Sequence, residues 1–250
     1  MARMKMTTAI NHGKQKGFIQ TQGALVALIA LLTAGCTTTH HAPPPTTKAQ
    51  QAAITPAQAL EKLLAGNVRF VAGQTWQRQW PEQRAATSAG QYPFAVVLSC
   101  IDSRVSSEII FDQNFGDIFN ARVAGNVLND EILGSLEFAT KIAGAKLIAV
   151  VGHSHCGAVK GACSSAQLGH LTGLLAHIRP AVDEAKTQLP GVALTDPKFI
   201  EQVAELNVQL VQQQIRTQSP VLRELIDSGQ VALVGGMYDL DSGKVQFFNH

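Results

Sequence analysis

From about residue 55 onward the apolar positions fall into alternating helix-like and strand-like blocks. Thr55-Pro56 pairs a cap residue with proline at the first helical position. Leu60, Leu63, Leu64, Val68 and Val71 then recur at helical spacing, which predicts a helix with one apolar face. The run 94–98 is short and continuously apolar, as expected of a strand covered on both faces. A weaker strand is expected over 117–123. Asn129-Asp130 can cap a helix running to about 143, with Gly144 where a C-terminal stop belongs. The run 147–151 is another buried strand. Asp196-Pro197 repeats the cap-plus-proline signal, followed by a stripe of Phe199, Val203, Leu206 and Leu210. Ser219-Pro220 starts one more helix that stops at Gly229, 231–234 is a strand, and Asp241-Ser242-Gly243 turns into a last strand over 244–248. This alternation predicts an α/β fold with a mainly parallel β-sheet flanked by helices, the closing hairpin adding one antiparallel edge strand.

The first 36 residues read as an address. Lys14 and Lys16 precede an apolar run over 24–32, which leads into Thr33-Ala34-Gly35-Cys36. That is a positive region, a short hydrophobic region and a small-residue cleavage site. The run is too short to span a bilayer, which takes about 20 apolar residues. Leu32-Thr33-Ala34-Gly35-Cys36 resembles a bacterial lipobox, so Cys36 is expected to carry lipid and tether the protein in the periplasm; plain signal cleavage is the alternative. Residues 37–52 are rich in Thr, Pro, Ala and Gln, contain Pro43-Pro44-Pro45 and lack an apolar period, so a disordered linker is expected there, with His40 and His41 as solvated spacer. The folded domain is then 53–250. With 20 Lys+Arg against 18 Asp+Glu and no basic stripe, nucleic acid is excluded as a partner.

Three cysteines remain beyond Cys36, too few and too uneven for an exported disulfide framework. Two of them follow predicted strands directly. One strand runs into Ser99-Cys100-Ile101-Asp102-Ser103-Arg104, the other into Gly152-His153-Ser154-His155-Cys156-Gly157. Ligands gather outside the carboxyl ends of strands in open α/β sheets, so both motifs can face one crevice. Cys100, His153 and Cys156 are therefore candidate ligands of a zinc ion with its fourth position open to water, the pattern of catalytic zinc. Two thiolates weaken that ion as a Lewis acid, so a nearby acceptor and cation must help. Asp102 and Arg104 can form such a charge-assisted pair, keeping Asp102 ionised to accept a hydrogen bond from zinc-bound water. Taken alone, the pair would read as an ordinary loop salt bridge.

The Cys100-x-Asp102-Ser103-Arg104 stretch followed by His153-x-x-Cys156-Gly157 resembles the signature of the β-class carbonic anhydrases. The resemblance runs from about Thr55 to the C-terminus, including Ala124-Gly125-Asn126 and the closing hairpin. It implies reversible hydration of carbon dioxide to bicarbonate and a proton, with zinc-bound hydroxide as nucleophile. The implied ligands of one Zn2+ per chain are Cys100, His153 and Cys156, and the implied catalytic dyad is Asp102 and Arg104. Gln91 and Gly157 are implied in substrate binding, Gln91 from across the interface of a homodimer or higher oligomer. Some members carry a second, inhibitory bicarbonate site that uses a tryptophan where this chain has Val97, so no such switch is expected. His155 reads as pocket wall, Cys163 as a small buried residue, His170, His177 and His250 as surface or packing residues, and Trp76 and Trp80 as clamps of a dimer arm. Hydrolysis of carbon disulfide or carbonyl sulfide would use the same fold and metal. A zinc-storage lipoprotein gains nothing from a positioned acceptor, and a thiol redox role lacks Cys-x-x-Cys.

Overall fold

A computed structural model describes residues 41–248. The expected signal and lipidation segment with Cys36, together with His40 and His250, lies outside the described residues. Five strands form one sheet in the order β2-β1-β3-β4-β5: β1 (Ala95–Ser99), β2 (Ile118–Arg122), β3 (Leu147–His153), β4 (Ala232–Tyr238) and β5 (Val245–Phe247). The first four are parallel and β5 pairs antiparallel with β4. This is the expected α/β architecture with its antiparallel edge.

The helices are α1 (Lys48–Ala53), α2 (Pro56–Val71), α3 (Trp80–Thr87), α4 (Ser107–Ile110), α5 (Asp130–Glu137), α6 (Gly157–Cys163), α7 (Gly169–Ala176), α8 (Arg179–Gln188), α9 (Pro197–Gln218) and α10 (Pro220–Asp227). Among the described residues none is long and apolar enough to cross a membrane. The caps read from sequence are made: Asp196 accepts from the Lys198 N–H, Ser219 from Leu222 and Asn129 from Ile132. Strand side chains alternate between two cores. Val96, Leu98, Ile148 and Val150 face one shared with α8 and α9, whereas Val97, Ala149 and Val151 face one shared with Leu63, Ile110 and Phe111. Cys100 continues the first series.

Three expectations are corrected. The segment expected to be a disordered linker over 37–52 is folded from residue 41. The Asn114 Nδ2 donates to the Pro43 carbonyl, the Thr46 N–H donates to Asp117, and Thr47 caps α1 with a reciprocal box. Gln51 is buried, its Nε2 donating to the Pro93 and Ala143 carbonyls at 2.7 and 2.8 Å. Polar bonding to distant backbone holds this stretch, which hydrophobic periodicity cannot register. Second, the apolar stripe of α2 is only partly inward. Leu63 is buried with Ala59, Gly66 and Asn67, while Leu64, Val68 and Val71 are exposed. The small side of the helix is pressed inward because the backbone after α4 crosses it closely. A Cβ on Gly66 would lie 1.7 Å from the Phe111 carbonyl oxygen. Third, the helix expected to run to about 143 is α-helical only to Glu137 and continues as one π turn, Phe138–Ile142, before Gly144 (φ +84°) ends it.

Candidate metal centre

β1 and β3 are neighbours with Ser99 level with Val151, so the residues that follow them leave the sheet side by side. Cys100 is the first residue beyond β1 and His153 the last of β3. His155 adopts a left-handed conformation (φ +57°) that reverses the chain within the turn, so that Cys156 comes back toward His153 before capping α6. This turn carries His155 itself outward to an exposed position 3.6 Å from Asp241.

The result is a buried cluster. Cys100 Sγ and Cys156 Sγ are 4.0 Å apart, and the ligand atoms of Cys100, His153 and Cys156 lie within 4.8 Å of one another. His153 Nδ1 lies 2.8 Å from the Ser154 carbonyl oxygen, which can only accept, so the ring proton belongs on Nδ1. Its Nε2 lone pair is then left buried without a hydrogen-bond partner among the described residues. Sulfurs bound tetrahedrally at about 2.3 Å from one zinc ion would sit ~3.8 Å apart. The orphaned nitrogen and the sulfur spacing both fit a divalent soft metal.

Cys100 Sγ also accepts from the Gly125 N–H at 3.3 Å. Hydrogen bonding from Cys156 first, with the Gly125 N–H adding to it, outweighs burial and brings the Cys100 thiol down to about 4. The Cys156 thiol moves the other way, pushed up by its bond to Cys100 and then by burial. At neutral pH the pair therefore shares one proton, which a cation would displace.

Asp102 and Arg104 form a bidentate pair, Nε to Oδ1 at 2.9 Å and Nη2 to Oδ2 at 2.8 Å, with the Arg104 N–H adding a third bond at 3.0 Å. The guanidinium beside Asp102 holds its carboxyl well below the usual carboxylate range. Gly157 opens α6 with open space where a Cβ would project, and Gln91 is exposed on the segment that leads into β1. A role for Gln91 across an interface is one that a single chain does not display. Val97 is buried in the sheet and Cys163 in α6, where burial pushes its thiol up. Trp76 packs within its own chain, under the Arg69 guanidinium at 3.7 Å.

Arg122 was not singled out from sequence. It lies at the end of β2, level with Ser99, and its Nε and Nη2 donate to the carbonyls of Cys100 and Asp102 at 3.0 and 2.6 Å. It fixes the main chain between Cys100 and Asp102. Its position at the end of a predicted strand was the available signal, but the neighbouring order of β1 and β2 was needed to use it.

Residues 95–245 match the family model described as carbonic anhydrase. Carbonic anhydrase 2 of Mycobacterium tuberculosis is 38% identical over 199 residues, covering 78% of this chain and 94% of that protein. The β-carbonic anhydrase CafA of Aspergillus fumigatus superposes with a TM-score of 0.63 at 27% identity, over 76% of this chain and 90% of that one. The β-carbonic anhydrase CcaA superposes with a TM-score of 0.61 at 26% identity, over 76% and 87%. By fold, family match and extent of similarity, the chain belongs to the β-class carbonic anhydrases, the family whose reaction interconverts carbon dioxide and bicarbonate.

Proposed function

We propose that this chain is a zinc-dependent carbonic anhydrase whose metal is held by Cys100 Sγ, Cys156 Sγ and His153 Nε2. The observation that carries the reading is the buried, unpartnered His153 Nε2 beside two sulfurs 4.0 Å apart. When bound, zinc would supply the Lewis acidity that brings ionisation of a coordinated water toward neutral pH. The chain's own residues do the rest. Asp102, kept ionised by Arg104, accepts a hydrogen bond only from a partner that carries a proton. It therefore favours a protic nucleophile over an aprotic anion and orients it toward the carbon of the substrate. Arg122 keeps Asp102 at a constant distance from Cys100. Gly157 leaves room beside Cys156 for a small substrate, and Gln91 donates to it from a neighbouring subunit.

A homodimer or larger assembly fits the surface. Val68, Ile109, Phe115, Phe138 and Ile142 are exposed, and β2 is an edge strand with an open side among the described residues. Export and lipid attachment at Cys36, giving a periplasmic, membrane-tethered enzyme, are proposed from the sequence of the first 36 residues.

The test is stopped-flow carbon dioxide hydration by the purified full chain, before and after metal removal with a chelator. Turnover should vanish with the metal and return when Zn2+ is restored to one ion per chain. A chain that holds one zinc ion yet hydrates no carbon dioxide would keep the metal centre and sink the substrate assignment.

A further inference from the structure

Asn207 stands in the middle of α9, outside both metal-binding motifs and fully buried. Its Nδ2 donates to the Gly125 carbonyl oxygen at 2.9 Å, and the Gly125 N–H donates to Cys100 Sγ at 3.3 Å. A side chain 107 residues after Cys100 thus grips the glycine that touches a ligand sulfur. That glycine is in a demanding conformation. Gly125 and Asn126 are consecutive left-handed residues (φ +68° and +44°), and a Cβ on Gly125 would lie 2.7 Å from Ile178 Cδ1. Glycine adopts this geometry readily, and asparagine tolerates it better than most residues that carry a side chain.

The same helix meets the second motif. A Cβ on Gly152, next to His153, would lie 2.7 Å from Val208 Cγ2. So α9 touches the segments behind two of the three ligands through adjacent residues, one polar and one apolar. The choice of asparagine at 207 is informative in itself. Its Oδ1, like Asn126 Nδ2, is buried with no hydrogen-bond partner among the described residues. A leucine would fill similar space without an unmatched carbonyl oxygen, so packing alone does not account for the amide. The bond to Gly125 does.

We infer that Asn207 is a positioning residue of the metal centre: by holding the Gly125 carbonyl it aims the Gly125 N–H at Cys100 Sγ, setting the direction and donor strength of that sulfur. An N–H···S bond draws electron density from a thiolate and restrains its orientation, as outer partners of metal ligands do generally. The inference rests on the assignment of Cys100, His153 and Cys156 as ligands.

Cobalt tests both statements separately. The full chain is stripped with a chelator and reloaded with Co2+, whose thiolate-to-metal charge-transfer absorption reports the sulfur donors directly. Asn207→Leu removes the bond at similar volume, and Val211→Ala loosens the buried face of the same helix four residues further on. Asn207→Leu should bind Co2+ about 10–100-fold more weakly in chelator competition and shift the charge-transfer band. Val211→Ala should keep both near the parent values. Unchanged affinity and band in Asn207→Leu would overturn the role of Asn207, as would an equal change in Val211→Ala. If circular dichroism shows Asn207→Leu unfolded, Asn207→Ser, too short to reach Gly125, is read in the same way. A parent chain that takes up no Co2+ would sink the ligand assignment itself, and the role of Asn207 with it.

Discussion

Two aspartates in this molecule are each gripped by arginine, and they sit in very different surroundings. Asp112 is fully buried, paired with Arg69 and Arg78, and also accepts from the Trp76 N–H at 3.2 and 3.3 Å. Both oxygens are occupied from several sides, the chain around it is left-handed (φ +47°), and Arg69 is stacked on Trp76. The cluster ties the segment between α2 and α3 to the backbone that follows α4. Asp102 has one arginine, which is 57% exposed, and its oxygens retain room for another donor. It lies two residues from Cys100, at the carboxyl end of a strand. A saturated, buried carboxylate is a structural tie; an ionised carboxylate with open lone pairs beside a candidate metal ligand is, in the function proposed above, chemical equipment. Arginine contact alone does not separate them. The count of donors and the access to solvent do.

Substitution should separate the two sharply. The largest effect is expected from Asp112→Asn, which leaves two arginines facing a neutral amide in a buried site. It should lose about 3 kcal/mol or more of stability, read from the urea midpoint, while the folded fraction keeps parent kcat. Next comes Asp102→Asn, for which kcat should fall about 100-fold or more with a parent-like melting temperature and zinc content. If Asp102→Asn instead unfolds the chain and Asp112→Asn abolishes turnover of folded protein, the contrast between them is wrong.

The smallest effect concerns protons at the thiol pair. With Cys100 lowered to about 4 and Cys156 pushed up, neutral metal-free protein carries one thiolate and one thiol. Metal uptake must then release one proton from the pair. Affinity should rise with pH, about tenfold per unit around neutrality, once buffer competition is subtracted. A hundredfold slope would mean that both thiols are protonated, and a flat one that neither is.

Much of this was legible along the chain. Thr55-Pro56, Asp196-Pro197 and Ser219-Pro220 announced α2, α9 and α10 because a cap and a proline act within one turn of backbone. The buried strands β1 and β3 showed as unbroken apolar runs because both their faces are covered. The candidate ligands Cys100 and Cys156 stood out because they come just after those strands. Other features were silent. The short helices α6 and α7 start with neither a capping side chain nor a proline, α8 has Pro180 but no capping side chain, and the fold of 41–52 is held by polar bonds to residues dozens of positions away. The inward side of α2 was misread because close approach by the Phe111 backbone selects small residues such as Gly66, not the leucines and valines that periodicity weights.

What the sequence determined by itself was therefore local: caps, covered strands, the α/β order and the residue types able to bind a soft metal. The tertiary structure alone decided which distant groups stand behind them. Arg122 reaches the loop between Cys100 and Asp102 because β2 lies beside β1, and Asn207 reaches Gly125 because α9 packs across the strand ends. The physical reason is range. Capping and hydrophobic period act over a few residues, whereas a hydrogen bond between residues 82 positions apart has no local signature and exists only once the cores have closed.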